Sequence, residues 1–199
     1  MLSALSLVTL ATSALAAPLL AREYSDAQPV DTCNLQLNQS VTTQIRHSVD
    51  TRSAWVPQQD DNGTFTGLEV STLSSINPPN YYWTVAPSDK LNGTHTIQLN
   101  NQTSPICASG AGSGTNSTLV DFVDCDSDYA LWNITCERCT GTFGGECEFS
   151  PVYRAKPDDP TDQCVSVPHE QYGAAYLKTC NLFVSPPNYE QLFFFGSKQ

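Results

Sequence analysis

Ile97-Gln98-Leu99-Asn100, Ile106-Cys107-Ala108, Leu119-Val120-Asp121-Phe122-Val123-Asp124-Cys125 and Tyr129-Ala130-Leu131-Trp132-Asn133-Ile134 follow one another within a single stretch, Ile97 to Ile134. Apolar and polar residues alternate along these segments, and Gly, Ser, Asn and Asp fill the gaps between them. Period two bounded by turn residues predicts four short strands. Cys107 and Cys125 stand where a bond would clamp the second strand to the third. One such unit cannot bury its own apolar side, so the chain is expected to contain more of them.

Working outward, Leu35-Gln36-Leu37-Asn38-Gln39 nearly repeats Ile97-Gln98-Leu99-Asn100-Asn101, and Pro78-Pro79-Asn80-Tyr81 recurs as Pro186-Pro187-Asn188-Tyr189. Each of these places leads into an aromatic strand: Tyr82-Trp83-Thr84-Val85, Leu131-Trp132-Asn133-Ile134 and Gln191-Leu192-Phe193-Phe194. A last unit carries its own cysteine pair, Cys164 and Cys180. The first puts Trp55 and Leu73 roughly at the cysteine places, so packing is expected to hold it. Tyr81, Tyr129 and Tyr189 are expected at equivalent positions.

Composition bounds the class. The chain has 199 residues and a net charge of −11, with 40% hydrophobic and only 15% charged residues. Stretches rich in Leu, Glu and Lys that would make helices are missing, which points to a turn-rich all-β protein. An acidic surface without a basic stripe argues against nucleic acid and against anionic membrane.

Residues 1–16 read as a signal peptide, with an apolar run from Leu2 to Leu10 and the small-x-small site Ala14-Leu15-Ala16. Residues 17–32, polar and holding Pro18 and Pro29, read as a flexible leader, and residues 33–199 as the folded domain. Eight cysteines in an exported chain imply four disulfides. Sequons at Asn38, Asn62, Asn92, Asn101, Asn116 and Asn133 agree with that route. The expected location is secreted and extracellular, without membrane insertion.

The order of strand, cysteine, turn, alternating strand ending in cysteine, and Q-x-W-like strand resembles the repeat of ricin-B-type β-trefoil lectins. Gln191-Leu192-Phe193 keeps the Gln with Phe for Trp, while Tyr81-Tyr82-Trp83 and Ala130-Leu131-Trp132 keep the Trp without the Gln. The resemblance covers about Cys33 to Phe195. It implies an all-β β-trefoil of three pseudo-repeats of four strands, in preference to other closed barrels or sandwiches. Three hairpins would then close a six-stranded barrel and three more would cap it, removing exposed edges. On that barrel Trp132 and Ile134 point inward and Asn133 outward.

In ricin-type repeats the resemblance also implies a sugar pocket: an Asp two residues after the first cysteine, an aromatic two before the second, and an amide after it. Here the Asp places hold Ser109 and Ser166, and the aromatic places hold Val123 and Lys178. Asn181, and loosely Asp126 and Asp128, are the polar candidates after the second cysteines. Phe122 and Tyr176 are aromatics on the right strands, but Phe122 faces oppositely to Val123.

Other constellations have structural readings. Cys136-Glu137-Arg138-Cys139 and Cys147, taken with Cys33, read as two disulfides whose pairing stays open, in preference to zinc or redox chemistry. His95, between Thr94 and Thr96, is expected at the surface, and His47 and His169 carry no nucleophile or metal motif. Asp60-Asp61 and Asp158-Asp159 fit turns. Tyr81, Tyr82 and Trp83 fit a barrel cap, with Trp83 inside.

These readings predict a secreted binding protein without catalysis or cofactor, its partner a glycan or an extracellular protein. Lectin-like carbohydrate binding comes first; a trefoil-type protease inhibitor, or an interaction or effector protein without sugar binding, is the alternative. All the sequons lie between Asn38 and Asn133, leaving Thr135 to Gln199 without one. The expected ligand surface is therefore Tyr153, Arg154, Tyr176, Lys178 and Asn181.

Overall fold

The computed structural model describes residues 32–48, 50, 52–72, 82–110, 120–140, 143–153, 162–167, 173–180 and 189–197. Of the signal and leader segments expected at residues 1–16 and 17–32, residues 1–31 lie outside this set, as do Tyr81, Leu73, Asp158, Asp159 and His169.

Alternation produces strands at residues 97–99, 106–108, 121–124 and 132–134, whereas residues 35–37, which repeat the pattern of 97–99, lie outside any strand. The strands are β1 (Cys33–Asn34), β2 (Val41–His47), β3 (Ser53–Gln59), β4 (Phe65–Thr72), β5 (Trp83–Pro87), β6 (His95–Leu99) and β7 (Ile106–Ser109). After them come β8 (Asp121–Asp124), β9 (Trp132–Thr140), β10 (Phe143–Pro151), β11 (Gln163–Ser166), β12 (Tyr176–Thr179) and β13 (Phe193–Ser197). Antiparallel pairing runs β2–β5–β6–β9–β10–β13 and returns from β13 to β2, closing a six-stranded barrel. Three hairpins, β3–β4, β7–β8 and β11–β12, stand off this ring.

Three backbone hydrogen bonds join those hairpins in a cycle. Leu68 N donates to Val120 O at 3.0 Å, Val120 N to Ala175 O at 3.1 Å, and Ala175 N to Leu68 O at 2.7 Å. All three residues are buried, so each amide and carbonyl needs a protein partner, and each finds it on the next hairpin.

The inward residues of the strands fill the barrel. Trp55, Trp83, Trp132, Phe149, Phe193 and Phe195 are among the largest fully buried side chains, with Ile45, Ile97 and Leu99 between them. Trp55 meets Phe149 at 4.9 Å, Phe193 at 5.4 Å and Trp83 at 6.2 Å between ring centroids. Trp83 Nε1 donates to Trp55 O and Trp132 Nε1 to Ala108 O, at 3.1 and 2.8 Å. Phe193, on the last barrel strand, buries a comparable ring without a donor to place. As alternation required, Trp132 and Ile134 are buried and Asn133 is exposed.

All eight cysteines are bonded: Cys107–Cys125 and Cys164–Cys180 within their hairpins, Cys33–Cys139 and Cys136–Cys147 at the barrel. The register refines what stands in for cysteine in the first hairpin. Gln98 pairs with Cys107 as Arg46 pairs with Ala54, so the buried Ala54, and not Trp55, holds the first cysteine's place. The carbonyls that receive the two indoles, on Trp55 and Ala108, each follow that place by one residue.

Two expectations change. Tyr129 belongs to a short 3₁₀ turn, Asp128–Ala130, three residues before Trp132, whereas Tyr189 opens the turn Tyr189–Gln191, four before Phe193. The turns correspond, but the tyrosines are offset within them. His95 is not at the surface but 1% exposed. Ile97 and Leu99 set the phase of β6, and that phase turns His95 inward, where it pairs across the barrel closure with Trp132. In the turns, Asp60 has the backbone role expected of it: its Oδ1 accepts from the amides of Asn62 and Thr64.

Burial holds the His95 imidazole neutral, with its pKa lowered from 6.5 to about 4. A base depressed in the folded state contributes stability that is full above its unfolded pKa and is lost as pH falls toward the folded one. The loss expected from His95 between pH 7 and pH 4 is about 3 kcal/mol. Chemical denaturation across that range should therefore show a steeper fall for the native protein than for His95→Gln. Parallel curves would mean that His95 is not buried neutral.

Candidate functional site

The strand pair that carries the site is β9–β10. On its inner face the cross-strand partners are Trp132 with Pro151, Ile134 with Phe149, and Cys136 with Cys147, and all six are buried. Period two puts a second column on the outer face: Asn133 opposite Ser150, then Thr135 opposite Glu148. One polar set thus lines up on the outside because an apolar set lines up on the inside.

Two additions turn this face into a cleft. β1 lies along the free side of β9, pairing Asn34 with Thr135. Leu35 N donates to Ile134 O, Thr135 Oγ1 donates to Asn34 Oδ1 at 3.2 Å, and Cys33–Cys139 staples the strand in place. From the other side comes the Cys164–Cys180 disulfide of the third hairpin. The loop before β6 contributes Asn92 and Gly93, and Gln36 extends the β1 wall. The resulting cleft has a volume of about 460 Å³, within the range of small-ligand sites.

Glu148 is the unusual member. Although it stands on the outer face, it is only 6% exposed, because the third hairpin comes over it. Its carboxylate and the sulfurs of Cys164 and Cys180 lie within 4.8 Å of one another. That spacing resembles a metal site, but the two sulfurs are bonded to each other and supply no thiolate. What remains is an acceptor group sunk beside neutral amides and hydroxyls that both donate and accept. Such a set suits a neutral ligand rich in hydroxyl groups.

One step further along the column, Glu137 meets Glu146 of the neighbouring strand, to which it hydrogen-bonds. Two carboxylates facing across a strand pair repel. Hydrogen bonding to Glu146, helped by burial and by the charge of Glu146, pushes Glu137 up to about 7, against a smaller opposing effect of Arg138. The pair therefore holds a proton under mildly acidic conditions.

The surface expected from sequence is partly assembled. Tyr176 and Lys178 share one side of β12, with Leu177 buried between them. Lys178 Nζ lies 3.4 Å from Glu190, and Gln191 Nε2 donates to Thr179 O at 2.9 Å, tying the last 3₁₀ turn to this strand. Tyr153 is exposed on a different element, just beyond β10. Arg154 and Asn181 lie outside the described residues. At the ricin-type pocket places Ser109 and Ser166 are fully buried. Asn38, Asn62, Asn92, Asn101 and Asn133 are exposed; Asn116 lies outside the described residues.

Asn34, Gln36, Glu148 and Ser150 were missed as site residues. The alternation of Glu148-Phe149-Ser150-Pro151 against Trp132-Asn133-Ile134-Thr135 carries the outward column once the two strands are paired. The covering hairpin leaves no such local mark.

Among solved structures similar to this barrel, three illustrate the likeness. One is a mosquitocidal holotoxin, with a TM-score of 0.59 at 13% identity over 82% of this chain and 18% of the toxin. Another is described as a BEL β-trefoil, with a TM-score of 0.53 at 10% identity over 82% and 98% of the two chains. The shared feature is the fold, that of a β-trefoil. The third is Polyporus squamosus lectin bound to the human-type influenza-binding epitope Neu5Aca2-6Galb1-4GlcNAc, with a TM-score of 0.51 at 11% identity over 81% of this chain and 50% of the lectin. No family model and no curated protein matches the chain.

Two outcomes test this geometry. Glu137 has a raised folded pKa, so its contribution to stability is full below 4.5 and is lost as pH rises through about 7. Denaturation midpoints of Glu137→Gln should be flatter than those of the native protein between pH 5 and 8. Replacing both Cys33 and Cys139 by Ser should lower stability by about 4–5 kcal/mol, as expected for so long a loop. The measurement is urea unfolding, and a loss no larger than that from opening Cys136–Cys147 would contradict the staple's role.

Proposed function

We propose that this chain is a secreted, N-glycosylated β-trefoil of three pseudo-repeats of four strands that binds carbohydrate through the cleft beside Glu148, without catalysis. The observation that carries this reading is a carboxylate 6% exposed at a cleft edged by Asn34, Gln36, Asn133, Thr135 and Ser150. Vicinal hydroxyls of a sugar are at once donors and acceptors. A carboxylate accepts hydrogen bonds from two of them, while amides and hydroxyls donate to the sugar oxygens. A metal ion would call for more carboxylates, and an apolar ligand for more hydrocarbon, than this cleft contains.

The cycle of hydrogen bonds among the three hairpins and the matched places of Ala54 and Cys107 support the three-repeat reading. The paired cysteines and the exposed sequon asparagines support the secretory route. The Polyporus lectin neighbour, crystallised with a sialylated glycan, supports glycan binding by a protein of this shape. The Tyr176 and Lys178 face of β12 is the second candidate surface on the same scaffold.

The test is a glycan array followed by titration calorimetry, using protein made without glycans in an oxidising bacterial periplasm. Glu148→Gln should weaken binding of the best glycan at least tenfold, about 1.4 kcal/mol, with unchanged thermal unfolding. Tyr176→Ala with Lys178→Ala should leave it within about twofold. The reverse pattern moves the site to β12, and an array without any binder refutes carbohydrate binding.

A further inference from the structure

The cleft has two sequon asparagines in its own wall. Asn133, of Asn133-Ile134-Thr135, projects from the outer face of β9 directly across from Ser150. Asn92, of Asn92-Gly93-Thr94, lies on the loop that forms another part of the lining. Both are exposed. We infer that the cleft is filled in cis by the chain's own N-linked sugar on Asn133, an inference that rests on the carbohydrate-binding reading of the site.

Attachment is ordinary group transfer. The amide Nδ2 bonds to the anomeric carbon of an oligosaccharide, displaces its lipid diphosphate and gives up a proton. An N-linked glycan begins with N-acetylglucosamine, so the first ring stands beside Ser150, with Thr135 and Glu148 next along the same face. Its hydroxyls and acetamido group are of the kind this lining pairs with: an acceptor carboxylate, two hydroxyls, and the amide of Asn34 beside Thr135.

Tethering decides the occupancy. A sugar on a short link experiences an effective concentration in the millimolar range, enough to fill a site too weak to hold the same sugar free in solution. The glycan at Asn133 then covers Glu148 and bridges the barrel face to the third hairpin. Modification of one asparagine thereby sets whether the cleft is open to other saccharides.

The experiment compares the glycosylated protein from a eukaryotic secretory host with the unglycosylated protein from bacterial periplasm, and the probe is the disaccharide N,N′-diacetylchitobiose. The unglycosylated form should bind it at least tenfold more tightly. Thr94→Ala made in the eukaryotic host removes the Asn92 sequon while keeping both asparagines, and it should remain closed to the probe. The glycosylated form should also melt at higher temperature, and Glu148→Gln should narrow that gap. Equal binding by the two forms, an Asn133 found bare by mass spectrometry, or a melting gap indifferent to Glu148→Gln overturns docking in cis and leaves the carbohydrate reading intact. If the unglycosylated form binds neither this probe nor any glycan of the array, the carbohydrate reading falls and this inference with it.

Discussion

Three hydrogen bonds in a cycle, Leu68 to Val120 to Ala175 and back to Leu68, are the constraint on which the hairpin layer depends. Each hairpin supplies one buried amide and one buried carbonyl, and each receives the matching group from its neighbours. Displacing any one of them leaves an unpaired donor on one side and an unpaired acceptor on the other, in a region closed to water. The cost of an orphaned buried polar group is of order 1–3 kcal/mol, so moving one hairpin penalises all three. The aromatic cluster around Trp55 lies beneath a lid that closes as a set.

That closure also explains how a barrel strand pair gives rise to a cleft. A barrel's outer face normally meets solvent. Here the third hairpin, held by the cycle at Ala175 and clamped by Cys164–Cys180, comes down over Glu148. The short β1 does the same from the other edge. Neither element belongs to the β9–β10 pair, yet together they convert a flat polar column into a walled recess. Their cover is also what buries Glu148, since a carboxylate on an uncovered outer face would stay in water.

Much of the fold was legible because period two is a local signal. Trp132, Asn133 and Ile134 announce their faces without reference to any other part of the chain, and Cys107 with Cys125 suits a hairpin whose strands are neighbours in sequence. Cys33 and Cys139 were illegible for the opposite reason: their bond follows from β1 adding beside β9, a pairing between distant segments. His95 was misread because its neighbours Thr94 and Thr96 look like surface, while the phase that matters is set two and four residues later by Ile97 and Leu99. Glu148 could not be recognised as sunken, because its cover arrives from residues 164 and 180. The β12 face could be picked from its residue types, yet the ion pair of Lys178 with Glu190 depends on a turn folded against it from near the end of the chain.

The Cys33–Cys139 staple spans 106 positions, and this bears on the order in which the molecule is made. Synthesis delivers Cys33 first of the eight, then Cys107 and Cys125, and its own partner only later. In that interval the Cys33 thiol has three sulfurs within reach, those of Cys107, Cys125 and Cys136, to which it does not belong in the finished protein. The recess against β1 therefore acquires its first wall late, after the second hairpin can already be bonded. Any early attachment of Cys33 must be undone by thiol exchange before Asn34 and Gln36 take their places. Maturation of the cleft is thus tied to the oxidising and isomerising capacity of the compartment in which the chain folds.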